Sequence, residues 1–279
     1  MSRLYEIVTV FGGGGLGRQS AVALTLATSL LASIVPAAAF DLDESKVVDL
    51  SYSFGSETIY WPTAKGFSLE VVAHGPTATG YWYEANNLCT AEHGGTHMDA
   101  PAHFAEGKAT AEAVPIGAGI GPLVRVDVRS AAEADADYRL GVGDLTGWEA
   151  EHGRIPRGAI VVMFSGWGSR WPDRKRYLGT DVPGDTAHLH FPGFSKEAAE
   201  FLVNERDIDA IGVDTPSIDH GPSQDFIVHR IINGANKPAF ENLANLGRVP
   251  PSGATLIALP MKIAGGSGGP LRAIAVLPE

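Results

Sequence analysis

The chain has 279 residues, 21 Lys and Arg against 32 Asp and Glu, a formal charge of −11, and 44% hydrophobic residues. That balance belongs to a globular protein with room for one large core, and it disfavours a polyanionic partner such as nucleic acid. The single cysteine, Cys89, excludes an internal disulfide and any Cys-x-x-Cys zinc or redox motif, so a metal here would have to be held by histidines and carboxylates.

Residues 21–39 read AVALTLATSLLASIVPAAA, an uncharged run that follows Arg18 and ends with Ala37 and Ala39 set as an A-x-A-like cleavage site before Phe40. This is the layout of a secretory signal. Residues 1–39 are therefore expected to be a signal peptide, or an N-terminal anchor if they are not cleaved. Residues 40–279 then form the exported, periplasmic or secreted domain. Gly12–Gly17 satisfies G-x-G-x-x-G, but Pro36 interrupts the helix a dinucleotide fold would need and no further βαβ units follow, so that reading is rejected.

From residue 46 short β-type runs alternate with turns, in keeping with 34 glycines and 18 prolines. Strands are expected at 47–50, 69–72, 123–128, 159–164, 210–213, 255–259 and 274–277. Helices are expected at Asp144–His152, ending before Gly153, and at Ser195–Glu205, with Ser195 as N-cap. No internal repeat or low-complexity linker appears. The pattern predicts one α+β domain with a β-rich core and peripheral helices.

Three histidines and an aspartate fall within eleven residues: His93, His97, Asp99 and His103. A straight strand would put all four on one face but separate His93 from His97 by about 13 Å, too far for bonds of about 2 Å to one ion. A helix would join His93 to His97 and turn Asp99 away. Only a curled segment suits all four; Gly94-Gly95 can supply the bend and Pro101 stiffens the exit. Two imidazoles and a carboxylate are common donors for zinc, manganese or iron at an open catalytic site. The competing account, an exposed His-bearing loop without metal, explains a single histidine better than this cluster. His229 and Glu241 are also donor types, but a spacing of twelve says nothing alone, and by spacing they read as surface residues.

The run His93-x-Gly95-Thr96-His97-x-Asp99-x-Pro101-x-His103 resembles the signature of the cyclase-like metal hydrolases, which include bacterial kynurenine formamidases and isatin hydrolases. The resemblance extends from about Val47 to the C-terminus. It implies a swivelling β/β/α domain, with His93, His97 and Asp99 as metal ligands and His103 as the residue that transfers protons. It also implies His229 and Glu241 as donors to a second ion that Asp99 would bridge, Trp61 before Pro62 as a substrate-pocket residue, and a homodimer. Segments as long as 55–90 and 165–194 depart from the short formamidases, and residues 212–221 look more like the isatin-hydrolase branch.

The activity so implied is hydrolysis of an amide or lactam bond in a small aromatic compound. One or two divalent ions, manganese or zinc, would lower the pKa of water toward roughly 7, and His103 would carry its proton to the leaving nitrogen. Isatin-like lactams are the leading substrates and N-formylkynurenine the alternative; a non-catalytic exported metal- or solute-binding protein is a second alternative. Gly265–Gly269 fits G-x-S-x-G, but only ten residues remain after it, with no Asp or His among them to complete a serine-hydrolase triad, so those glycines read as a close-packed loop beside the site. Asp214, Ser217, Asp219 and His220 either form a second layer or water path or cap a turn, with Ser217 joining Trp61 as a substrate-binding candidate. His188 and His190 read as structural or pocket-wall residues. Tyr60, Phe67, Tyr81, Trp82 and Tyr83 read as core more readily than as ligand surface, and Arg170 as a salt-bridge partner.

Overall fold

The computed structural model describes residues 43–279, so the expected signal segment, its cleavage point and the Gly12–Gly17 motif lie outside the described residues. The strands in chain order are β1 (Val47–Asp49), β2 (Ser68–Pro76), β3 (Trp82–Cys89), β4 (His97–Asp99), β5 (Ile120–Asp127) and β6 (Arg139–Leu140). They continue as β7 (Ile160–Phe164), β8 (Gly193–Phe194), β9 (Ala210–Val213), β10 (Ala239–Glu241), β11 (Thr255–Pro260) and β12 (Gly268–Val276). The α-helices are α1 (Arg129–Ala134), α2 (Val142–His152), α3 (Arg174–Leu178), α4 (Lys196–Phe201) and α5 (Ile227–Gly234).

The main sheet runs β1-β12-β11-β5-β7-β9-β10-β4, and a further pairing of β4 with β12 closes seven of these strands into a barrel with β1 added outside. Strands β5, β7, β9 and β10 are parallel, and the remaining pairs are antiparallel. Strand β7, Ile160-Val161-Val162-Met163-Phe164, is buried throughout, the continuous apolar run expected of a parallel strand covered on both faces. Its side chains alternate. Ile160, Val162 and Phe164 fill the barrel with Met98, Phe240 and Leu256, while Val161 and Met163 face Leu145, Phe201 and Ile232 of the helical layer. The domain is α+β, as expected, with few helices around a closed sheet.

Several local expectations need correction. Helix α2 starts at Val142 rather than Asp144 because its N-cap, Gly141, has no side chain. Asp144 caps from inside the first turn instead, accepting the Gly141 amide at 2.8 Å and the Tyr138 hydroxyl at 2.9 Å. Ser195 does cap α4, its hydroxyl accepting the Ala198 amide at 3.1 Å, but the α-helix ends at Phe201 and a π turn continues to Arg206. Tyr81, Trp82 and Tyr83 are not core; they stand exposed on the β2–β3 ribbon, a two-stranded sheet that pairs with no other strand among the described residues. Arg170 makes no ion pair among the described residues, and its guanidinium lies over the Trp167 ring at 3.3 Å. His188 and His190 pair with Asp185 and Asp137 at the surface.

Candidate metal centre and active site

Strand β4 sits between β10 and β12, and register does what spacing could not. His97 lies directly opposite Glu241, and Asp99 lies opposite both Ala239 and Gly268. Directly opposed antiparallel residues present their side chains on one face about 5 Å apart, so residues 144 positions apart in sequence become neighbours. The chain before β4 curls at Gly94 (φ +152) and Gly95 (φ +57), conformations open to glycine, where a Cβ at Gly95 would lie 2.7 Å from the Phe54 ring. That curl returns His93 to Asp99. After the strand, Pro101–His103 forms a 3-10 turn that lays the His103 ring on His93, with centroids 3.7 Å apart.

The result is a compact group around two buried carboxylates. His97 Nε2 is 3.2 Å from Asp99 Oδ1 and 3.4 Å from Glu241 Oε2; His229 Nε2 is 3.2 Å from Asp99 Oδ2 and 3.3 Å from Glu241 Oε1; His93 Nδ1 is 2.6 Å from Asp99 Oδ1. Two sets of donor atoms, His97–Asp99–Glu241 and His93–Asp99–His103, each lie within 4.8 Å of one another and share Asp99. His229 comes from α5, a helix the sequence pattern did not suggest.

The histidine protons show what the group suits. The Nδ1–H of His97 donates to the Gly95 carbonyl at 2.9 Å, and the Nδ1–H of His229 donates to Asp219 at 2.7 Å. Each bond leaves the Nε2 lone pair aimed at the carboxylates. His97 Nε2 is buried and has no hydrogen bond of acceptable geometry. Lone pairs converging on two carboxylates repel unless a cation lies among them, so the residues fit a divalent metal in donor type and direction.

Without such an ion, protons must serve in its place. Burial opposes charge on His97, but the nearby Asp99 carboxylate, then Glu241, push it up to about 9. Burial likewise works against an ionised Asp99, yet His229, His93 and His97 hold it well below the usual carboxylate range. Glu241 is raised, first by burial and then by the Asp99 charge. His103 is pushed down to about 3, mainly by burial, so its ring is neutral.

Above these groups lies a cavity of about 280 Å³, the lower end of the range for small-molecule sites. Tyr60, Trp61, Phe104, Pro216, Ser217 and Phe226 form its walls, while His93, His97, Asp99, His103, His229 and Glu241 all reach it. Trp61 and Phe226 stand 6.2 Å apart, and Phe104 and Phe226 5.2 Å, giving an aromatic slot. Ser217 Oγ accepts the Asp219 amide at 3.2 Å, which leaves its O–H able to donate into the cavity. Every residue singled out from the sequence as ligand, base or substrate contact thus lies at one site.

Sequence reasoning missed Phe104 and Phe226, which carried no motif, and it missed Glu92 and Ser267 beside His93. Of the polar group near residue 214, Asp219 holds His229. Asp214 is buried away from the cavity, accepting the Ser165 hydroxyl at 2.6 Å and the Trp167 amide at 3.1 Å. Burial raises the Asp214 carboxyl above its ordinary range.

Residues 48–220 match the family described as "Putative cyclase". The isatin hydrolase of Roseibium aggregatum is 34% identical over 208 residues, 72% of this chain and 77% of that protein. A kynurenine formamidase of Sphingopyxis alaskensis is 28% identical over 232 residues, 82% of this chain and 97% of that protein. In structure, isatin hydrolase A from Labrenzia aggregata bound to benzyl benzoate superimposes with a TM-score of 0.76 at 33% identity, covering 84% of this chain and 94% of that one.

Proposed function

Given that the chain belongs to the cyclase family of metal-dependent hydrolases, we propose that it opens the ring of an isatin-like lactam by hydrolysing its carbon–nitrogen bond. The observation that carries this reading is the pair of buried carboxylates, Asp99 and Glu241, on which the lone pairs of His97 and His229 converge at the floor of an aromatic cavity. His93, His97, Asp99, His229 and Glu241 would hold one or two divalent ions. Zinc and manganese both suit these donors. A bound divalent ion supplies the Lewis acidity that activates water and polarises a carbonyl.

The remaining chemistry falls to the chain's own residues. Trp61, Phe104 and Phe226 take a planar bicyclic ring between them, and the Ser217 hydroxyl donates to a polar edge of the substrate. His103, neutral and half-buried, accepts a proton from the attacking water at a ring nitrogen and returns it to the departing nitrogen. The sum is balanced: oxygen bonds to the carbonyl carbon, the carbon–nitrogen bond breaks, and the nitrogen leaves carrying a proton. The aromatic walls also keep bulk water from the reacting bond.

N-formylkynurenine is the second reading, favoured by the match to formamidases over most of their length. Ultraviolet assays of isatin and N-formylkynurenine, run side by side on metal-loaded protein, separate the two. Ring opening of isatin with the higher kcat/KM supports the lactam reading, and deformylation alone overturns it.

The protein is proposed to act after export, with residues 1–39 removed. N-terminal sequencing of material from the periplasm should begin at Phe40, whereas a start at Met1 in the cytosol contradicts export. A homodimer is proposed as well. The exposed apolar side chains of the β2–β3 ribbon, among them Leu69, Val71, Trp82 and Leu88, support an association surface. A monomer mass in light scattering would contradict it.

A further inference from the structure

The motif Gly265-Gly266-Ser267-Gly268-Gly269 has no part in a serine-hydrolase triad, yet it touches the metal centre. Glu92 Oε2 accepts two hydrogen bonds from Ser267, one from its amide at 3.0 Å and one from its hydroxyl at 2.6 Å. Ser267 Oγ in turn lies 2.9 Å from His93 Nε2. A hydroxyl has one proton, and here the carboxylate takes it. The Oγ can then only accept, so His93 Nε2 must be the protonated nitrogen. The other ring nitrogen, Nδ1, is left with its lone pair 2.6 Å from Asp99 Oδ1.

We infer that Glu92 and Ser267 are positioning residues which place the proton of His93 on Nε2, so that Nδ1 is the atom it offers to the metal. His93 therefore binds through the opposite nitrogen from His97 and His229, whose Nδ1 protons are held by Gly95 and Asp219.

The flanking glycines have a matching reason. A Cβ at Gly268 would lie 2.6 Å from His93 Cε1, and one at Gly266 would lie 2.8 Å from Glu92 Oε1. Only glycine on both sides lets the Ser267 backbone come close enough to bridge the two. The Ser267 carbonyl accepts the Ala100 amide at 2.8 Å, and β12 pairs with β4 directly after it, so the segment is fixed to the signature it serves.

This inference rests on His93 being a metal donor, and its test separates the two claims. Zinc and manganese affinities are measured by competition with a chromogenic chelator on wild type, Ser267→Ala, Glu92→Ala, Glu92→Gln and the double alanine variant. Ser267→Ala and Glu92→Ala should each weaken binding roughly 10- to 100-fold, and Glu92→Gln, which keeps the shape and an acceptor oxygen, should lose less. The double variant should bind no more weakly than Ser267→Ala alone, because Glu92 acts through Ser267. Affinity within about twofold of wild type in Ser267→Ala and in Glu92→Gln, or additive losses in the double variant, overturns the inference while leaving the metal centre intact. A wild-type chain that binds neither ion overturns the hydrolase reading, and this inference with it.

Discussion

Asp219 holds His229 at two points at once: its Oδ2 accepts the ring Nδ1–H at 2.7 Å and the backbone amide at 3.0 Å. Its Oδ1 accepts the Val228 amide at 3.0 Å. One carboxylate therefore satisfies two free amides at the start of α5 and fixes the tautomer of the histidine that this helix delivers to Asp99 and Glu241. The helix and the metal centre share a single anchor.

Replacing Asp219 should consequently damage both. Asp219→Ala is expected to lower metal affinity roughly 10- to 100-fold, because His229 is no longer oriented. It should also destabilise the metal-free protein by about 1–3 kcal/mol, through buried donors left without partners. Asp219→Asn keeps an acceptor for the helix and should recover part of the stability. Chelator competition and urea unfolding test the two effects separately; unchanged metal affinity in Asp219→Ala would refute the coupling.

His103 should be separable from the metal. Its ring stacks on His93 and is held neutral, as a proton acceptor requires. His103→Ala is expected to retain metal while turnover falls about 10²- to 10⁴-fold. His103 also belongs to one of the two candidate donor sets, so metal content of the variant decides between roles. Loss of the ion would make it a ligand, and turnover like wild type would remove it from catalysis.

Chelation should reduce stability. A ligand held only by the folded state stabilises by RT ln(1 + [L]/Kd), about 2.7 kcal/mol at a hundredfold excess over Kd. For a domain of this size each kcal/mol corresponds to about 2–4 °C in melting temperature. EDTA should therefore lower Tm by several degrees, and zinc or manganese should restore it while magnesium, which binds imidazole poorly, should not. A melting curve indifferent to chelation would count against a tightly held ion.

Phe226 precedes α5 with φ +47, a backbone conformation rare for a bulky residue, and its ring closes the cavity against Trp61 and Phe104. Phe226→Leu preserves bulk but removes a planar partner worth about 0.5–1.5 kcal/mol, so KM for an aromatic lactam should rise roughly 2- to 10-fold with kcat nearly unchanged. Steady-state kinetics would reveal it, and an unchanged KM would place the substrate elsewhere in the cavity.

The parts of this structure readable from sequence are those whose reasons are local. Val161 and its neighbours are apolar because both faces of β7 are covered, and the run shows as such. The curl between His93 and Asp99 follows from ligand spacing together with two glycines. Glu241 was opaque because its link to His97 is a matter of register between β10 and β4, which no spacing encodes. Helix α5 was missed because Val228-His229-Arg230-Ile231-Ile232 follows no capping residue at 226; its cap comes from Asp219, seven residues before. Ser267 looked like part of a loop because its partners, Glu92 and His93, lie more than 170 residues earlier. Aromatics mislead for a related reason: Trp61 and Trp82 look alike in sequence, yet one lines the cavity and the other stands on an exposed ribbon.

The central claim is that Asp99 and Glu241, with their surrounding histidines, hold a divalent metal needed for hydrolysis. The most direct measurement is metal content by elemental analysis on purified protein, paired with isatin ring opening before chelation, after it and after re-addition of zinc or manganese. The account predicts one or two equivalents of metal per chain, activity lost with the metal and regained with it, and neither metal nor activity in a Glu241→Ala/Asp99→Ala double variant. Full ring-opening activity in protein stripped of metal would contradict it.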